Sequence, residues 1–176
     1  MMRKTLQLAF GETSGSAMIQ IRDYERGDAV TIVRLFYDTI HSVNLGDYST
    51  EQVQAWAPET PDPAIWHNRM IANQTLVAEQ DGELLGFAEL EPRGHVDMFY
   101  CRSDVVGRGI GGRLYAALEA KAVAMGLPCL SADVSITARP FFARCGFHVI
   151  RQQTVIRRGI SLTNFKMGRP SSSAVH

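Results

Sequence analysis

The sequence predicts an α+β fold, a mixed, mostly antiparallel central sheet with helices on its faces. Three observations carry this reading. Thr75–Gln80 and Glu83–Leu90 flank Asp81-Gly82, and Pro92-Arg93-Gly94 turns the chain into His95–Cys101. Turns this short join only antiparallel neighbours. A glycine-rich segment then opens a helix over Gly109–Met125, with Ile110, Leu114, Leu118, Val123 and Met125 at helical spacing before Gly126 and Pro128 end it. Because that helix crosses over, the next apolar run, Cys129–Val134, is predicted parallel to His95–Cys101.

The other elements follow in order. Ile19–Arg22 reads as a first strand. Asp28–Val43 carries Val30, Val33, Leu35, Phe36 and Ile40 at helical spacing, with Asp28 available near its start. Ser49 or Thr50, followed by Glu51 and Gln52, begins a short helix through Trp56 that Pro58, Pro61 and Pro63 bound. Ile65–Ala72 adds another helical turn or two. Thr137–Cys145 forms a short helix ended by Gly146, and Phe147–Arg157 and Ser161–Met167, joined by Arg158-Gly159, close the sheet as a hairpin. Residues 1–18 and 169–176 lack periodicity and are expected to be a loose extension and tail around one domain, 19–168.

At 176 residues, 45% hydrophobic and 20% charged, the chain is one folded globular domain. Eighteen basic and eighteen acidic side chains cancel, so no long-range field recruits nucleic acid or a membrane surface. Cys101, Cys129 and Cys145 are widely spaced in apolar runs, which suits buried reduced thiols, not a disulfide framework or a metal site. No apolar run reaches about 18 residues and the N-terminus has no compact hydrophobic signal segment, so a cytoplasmic location is expected.

Chemistry concentrates in Val96–Leu114. Gly107, Gly109, Gly111 and Gly112 clear side chains from a helix start, where unpaired amides and the helix dipole favour an anion. A Walker loop needs Lys-Ser/Thr after the glycines, and Arg113-Leu114 stands there instead. Gly107-x-Gly109-x-x-Gly112, with Asp133 about 20 residues on, fits the dinucleotide fingerprint. That fingerprint belongs to a parallel sheet and places its first glycine directly after the strand, whereas Arg102–Val106 intervenes here. Coenzyme A is the third reading. Val106-Gly-Arg-Gly109-Ile-Gly111 resembles the pyrophosphate loop Gln/Arg-x-x-Gly-x-Gly/Ala of the GCN5-related N-acetyltransferases (GNAT superfamily). Ala138-Arg-Pro-Phe-Phe142-Ala-Arg-Cys-Gly146-Phe147 resembles the same family's Ala-x-x-Phe-Tyr-x-x-x-Gly-Phe. The resemblance spans Ile19 to Met167 and points to a branch of small bacterial members. The chain departs from the pattern at Val106 and at Phe142, where the family has Gln/Arg and usually tyrosine.

The resemblance implies that His95–Cys101 splays from Cys129–Val134. Pantetheine would bond the backbone of Phe99, Tyr100 and Cys101. Pyrophosphate would lie on the amides of Val106, Gly107, Arg108, Gly109, Ile110 and Gly111, beside Gly112, with Arg108 or Arg113 replacing the lost contact at Val106. A freed N–H near Phe99 would meet the oxyanion. The activity implied is acetyl transfer from acetyl-CoA to a primary amine, on a small molecule or a protein, without an acyl-enzyme and without a metal. Phe142 would sit beside the thioester sulfur with no proton to give, leaving Tyr100, Ser135 or water as substitutes. Alternation puts His95, Asp97, Phe99 and Cys101 on one strand face and Glu89 with Glu91 on one face of the neighbour. The family draws its base from these strands, which makes Glu89, Asp97 and His95 the catalytic candidates. Asp133 and Ser135 either contact the acceptor or cap the next helix. Phe36, Tyr37, His41, Tyr48, Trp56 and Trp66 supply aromatic walls for an acceptor pocket. The sequence leaves open the acceptor's identity, a monomer or a homodimer, a CoA-binding domain without turnover (from Phe142 and Val106), and an NAD(P)-dependent oxidoreductase (from the glycine pattern).

Overall fold

A computed structural model describes residues 18–170. The expected loose segments fall outside the described residues except for Met18, Arg169 and Pro170. The last two belong to a strand and not to a tail.

Strand β1 (Gln20–Asp23) precedes three helices, α1 (Ala29–Ser42), α2 (Thr50–Trp56) and α3 (Pro63–Ala72). The meander β2 (Gln74–Gln80), β3 (Glu83–Leu90) and β4 (His95–Cys101) leads into α4 (Ile110–Ala124), β5 (Cys129–Ser135) and α5 (Arg139–Arg144). The hairpin β6 (His148–Arg157) and β7 (Ile160–Pro170) completes a seven-stranded sheet of order β1-β2-β3-β4-β5-β7-β6. Every pairing is antiparallel except β4 with β5. The predicted α+β architecture stands, and a dinucleotide-binding parallel sheet is excluded by this topology.

Local chemistry explains the boundaries. Asp81 and Gly82 have φ of 54° and 79°, and Arg158 and Gly159 have 49° and 80°. These are the left-handed pairs that two-residue hairpins require. Ser49 and Gln52 form a reciprocal capping box at the start of α2, and Asp62 accepts from the Ala64 amide ahead of α3. Asp28 does not cap α1 with its side chain; it pairs with Arg22 instead.

Two cores flank the sheet. On one face Leu114, Leu118 and Ala122 of α4 pack with Leu76, Leu90, Val96, Leu130, Phe142 and Phe147. On the other, Ile32, Phe36 and Ile40 of α1 pack with Val53, Met70, Val77, Phe87 and Leu162. Val30, Val123 and Met125, part of the helical spacing in the sequence, are exposed. Cys129 is also exposed, against the expectation that all three thiols are buried; all three are free.

The strand pairing changes character between β4 and β5. Only His95↔Ser131 and Val96↔Ala132 pair, although β4 runs on to Cys101 and β5 to Ser135. Gly94 sets the closed end. Its φ is +87°, and a Cβ there would lie 2.6 Å from the Cys129 carbonyl oxygen, so only glycine brings the strands this close. Beyond Val96 the strands diverge.

Candidate active site

A cleft of about 650 Å³ fills the divergence, lined by β4 from Val96, by β5 from Ala132, by the start of α4 and by α5. Asn44 and Trp56 wall it from the side of α1 and α2. Phe99, Tyr100 and Cys101 line it, as do Val106, Gly107, Gly109, Ile110, Gly111, Gly112, Ser135 and Phe142. Arg108 does not, and its amide donates to the Val105 carbonyl at 3.1 Å. The amides that line the cleft and could face an anion are those of the glycines and the first turn of α4. Gly109 is the N-cap of α4 with φ +82° and ψ 2°, and a Cβ there would meet nothing within 4 Å. At Gly111 an added Cβ would press on Phe141 at 3.0 Å. The α4 end is thus stripped of side chains and backed by an aromatic ring, a surface on which a diphosphate can approach the backbone.

The three candidate bases lie in different settings. A register shift pairs Glu89 with Met98 and Leu90 with Val96, which leaves Asp97 as the extra residue of a bulge. The bulge breaks the expected alternation. Val96, Phe99 and Cys101 face the α4 core, while Met98 and Tyr100 face α1. Asp97 does not share the face of Phe99 and Cys101; it lines the cleft and is paired with Arg69 of α3. Glu89 is fully buried and does not line the cleft; its Oε1 accepts from Arg69 Nε at 3.0 Å and from Asn73. His95 sits at the closed end, outside the cleft lining, with Nδ1 3.1 Å from Ser131 Oγ and Nε2 4.0 Å from Asp133.

Asp133 lines the cleft and accepts from Gln153 at 2.9 Å. Ser135 Oγ accepts from the Ala138 amide at 3.0 Å across the turn ahead of α5, whose own N-cap, Ala138, has no side-chain cap; Ser135 therefore closes a turn and does not cap a helix beginning at Thr137. Of the aromatic walls, Trp56 lines the cleft. Trp66 packs on Phe36 and Phe87, and Tyr48 is buried, donating to the Thr163 carbonyl and accepting from the Ile136 amide. His41 stacks on Tyr37 and donates to the Ala57 carbonyl at 2.6 Å, tying α1 to the end of α2. Burial pushes the Cys101 thiol up to about 11 and the Tyr100 phenol well above its ordinary range. Both stay protonated at neutral pH.

Arg69 had no signal of its own in the sequence. The usable clue was indirect: a glutamate placed mid-sheet under a helix needs a cation or water, and α3 offers one arginine. Thr39 and Asn44, which also line the cleft, carried no signal at all.

An acetyltransferase (GNAT) domain model matches residues 44–169. The chain belongs to the GNAT acetyltransferase family. The uncharacterized N-acetyltransferase YafP of Escherichia coli (strain K12) is 32% identical over 149 residues, covering 85% of this chain and 94% of that protein. A GCN5-related N-acetyltransferase from Rhodopseudomonas palustris superposes with a TM-score of 0.82 at 35% identity, over 89% of this chain and 98% of its own. The PaiA N-acetyltransferase of Thermoplasma acidophilum, solved in complex with coenzyme A, gives 0.73 at 20% identity, over 87% and 99%. This GNAT protein is an acetyltransferase. Among its described residues no helix is long and apolar enough to cross a membrane, and no group of three or more His, Cys, Asp or Glu is placed to hold a metal ion.

Proposed function

We propose that this GNAT protein moves an acetyl group from acetyl-CoA to a primary amine by direct attack. The observation that carries the reading is the two-pair junction of β4 and β5. It leaves the backbone edge of Phe99 to Cys101 without a strand partner and facing the cleft, where the Cys101 carbonyl accepts from Thr39 Oγ1 at 3.1 Å, with the glycine-cleared start of α4 at its mouth. Coenzyme A in the Thermoplasma relative supports the same ligand for this cleft.

The reacting amine arrives as an ammonium and must lose a proton before its nitrogen can attack. Asp97 is the candidate that lines the cleft, and it takes the proton directly or through one water. As the C–N bond forms, charge gathers on the thioester oxygen, and a backbone N–H near Phe99, on the stretch of β4 without a β5 partner, would meet it. The C–S bond then breaks. A thiol with a pKa of about 8.5 leaves as thiolate without an obligatory acid. Tyr100 also lines the cleft, but burial raises its phenol well above its ordinary range and makes it a weak acid toward a thiolate, so neither it nor Phe142 is required to supply a proton. Cys101 is a poor nucleophile because a thiol near 11 is thiolate in only about one molecule in 10⁴ at pH 7, which disfavours an acyl-cysteine.

Calorimetric titration with acetyl-CoA and NADPH, followed by CoA release measured across amino acids, polyamines, aminoglycosides and lysine peptides, tests the reading. Binding of acetyl-CoA and amine-dependent release are expected. Asp97→Asn should lower turnover by about 10²–10⁴ while keeping acetyl-CoA affinity. Preferential binding of NADPH would sink the proposal. Tight acetyl-CoA binding with no release for any amine would favour the CoA-binding domain suggested by Phe142.

A further inference from the structure

We infer that Arg69 is a positioning residue for acetyl transfer, with the buried carboxylate of Glu89 as its anchor. The inference rests on the acetyl-transfer reading and extends it to a side chain outside the reacting set. Arg69 belongs to α3 and spans two strands at once. Its Nε donates to Glu89 on β3 at 3.0 Å, and its Nη2 donates to Asp97 on β4. Glu89 is wholly buried and is also bonded by Asn73, so it cannot swing out to another partner. The Arg69 guanidinium lies 5.8 Å from the Trp66 ring centre, a further restraint on its plane. A fixed fork of this kind presents Asp97 in one orientation. That matters because Asp97 is the extra residue of a bulge, where the strand ladder gives the side chain no register.

The consequence is a division of labour between two carboxylates. Glu89 is sealed from the cleft and aims the arginine. Asp97 lines the cleft with its carboxylate held by the guanidinium. Lysine cannot replace this arrangement, since one ammonium point charge does not make two divergent planar bonds.

The test uses ethylamine, the smallest probe with the relevant ammonium, at high concentration with saturating acetyl-CoA. Removing Arg69 alone strands a buried carboxylate and endangers folding, so the main variant is the double substitution Arg69→Met with Glu89→Gln. A folded double variant should bind acetyl-CoA within about twofold of wild type by calorimetry and lose about tenfold to a hundredfold in kcat. Arg69→Lys should stay impaired in kcat. Full turnover in the double variant, or a loss of acetyl-CoA affinity equal to the loss of turnover, would overturn the role. Wild-type protein that binds acetyl-CoA but releases no CoA with ethylamine, amino acids, polyamines, aminoglycosides or lysine peptides would overturn the amine-transfer reading and this role with it, whereas release with another of these amines moves the same comparison to that acceptor.

Discussion

Phe142 stands where the family usually has a tyrosine, and its ring is packed on three sides. Phe99, Phe141 and Phe147 meet it at centroid distances of 5.7, 5.6 and 5.1 Å, all nearly edge-on. Phe142 both packs in this aromatic cluster and lines the cleft, so an added hydroxyl has to be fitted among closely packed rings. Phe142→Tyr should therefore change turnover by less than about threefold and cost about 1–3 kcal/mol in denaturant unfolding. A tenfold gain at saturating substrates would show that leaving-group protonation limits the enzyme. At this scale the sequence was readable wherever a residue type is demanded by local geometry. Ser49 with Gln52 at the start of α2 and Phe142 in its motif are examples. It was not readable for the pair Glu89 and Asp97, which strand alternation treats alike. Their different fates depend on one inserted residue in the β3–β4 register and on an arginine some twenty residues earlier, and neither is encoded in the pattern of the strands themselves.

Among the elements, the start of α4 and the exit of β5 do most to shape the cleft. Gly109 adopts φ +82° with open space around it, so a side chain there costs backbone strain of about 1–2 kcal/mol and projects where a diphosphate would lie. Gly109→Leu should weaken acetyl-CoA binding tenfold or more by calorimetry in a protein that still folds. Unchanged affinity would place the nucleotide elsewhere. At the β5 exit, the Tyr48 hydroxyl donates to Thr163 of β7 at 2.7 Å and accepts from Ile136 at 2.9 Å. Tyr48→Phe leaves both groups short of a partner and should cost about 1–3 kcal/mol by urea unfolding. A variant as stable as wild type would mean that water replaces the hydroxyl. Element ends were legible because Asp81-Gly82, Arg158-Gly159 and Ser49 with Gln52 each dictate a backbone conformation. The bulge at Asp97 was not, because register belongs to two strands together.

Across the whole molecule, the N-terminal strand is tied to the body by Arg22, which bonds Asp28 at 2.8 and 3.0 Å and Glu79 at 2.7 Å. Burial pushes the Asp28 carboxyl up, but the bonds from Arg22 and the Glu25 amide, with the guanidinium charge, outweigh it and hold the group below the usual range. A carboxyl depressed in the folded state stabilises fully above its unfolded pKa, about 3.9, and that contribution fades as pH falls through the lower folded value. Asp28→Asn should thus be about 1–3 kcal/mol less stable than wild type at pH 7, with the gap narrowing below about pH 4. A gap that stays constant down to pH 3 would assign the loss to packing. The arrangement of elements was legible from the sequence because every connection is short or helical. Of the cleft's walls, Thr39 and Asn44 were not, since they sit in and just after α1, far along the chain from the β4–α4 and α5 motifs.

The junction of β4 and β5 places two half-unpaired strand edges in the interior of the sheet instead of at its rim. Open strand edges ordinarily invite other chains to add on, and proteins blunt them with charge or distortion. Here the opening tapers to closure at His95 and Val96, so an intruding strand would run out of room after a few residues. Shape alone keeps this stretch of peptide hydrogen-bonding capacity available to a slender thread-like guest and closed to a neighbouring polypeptide.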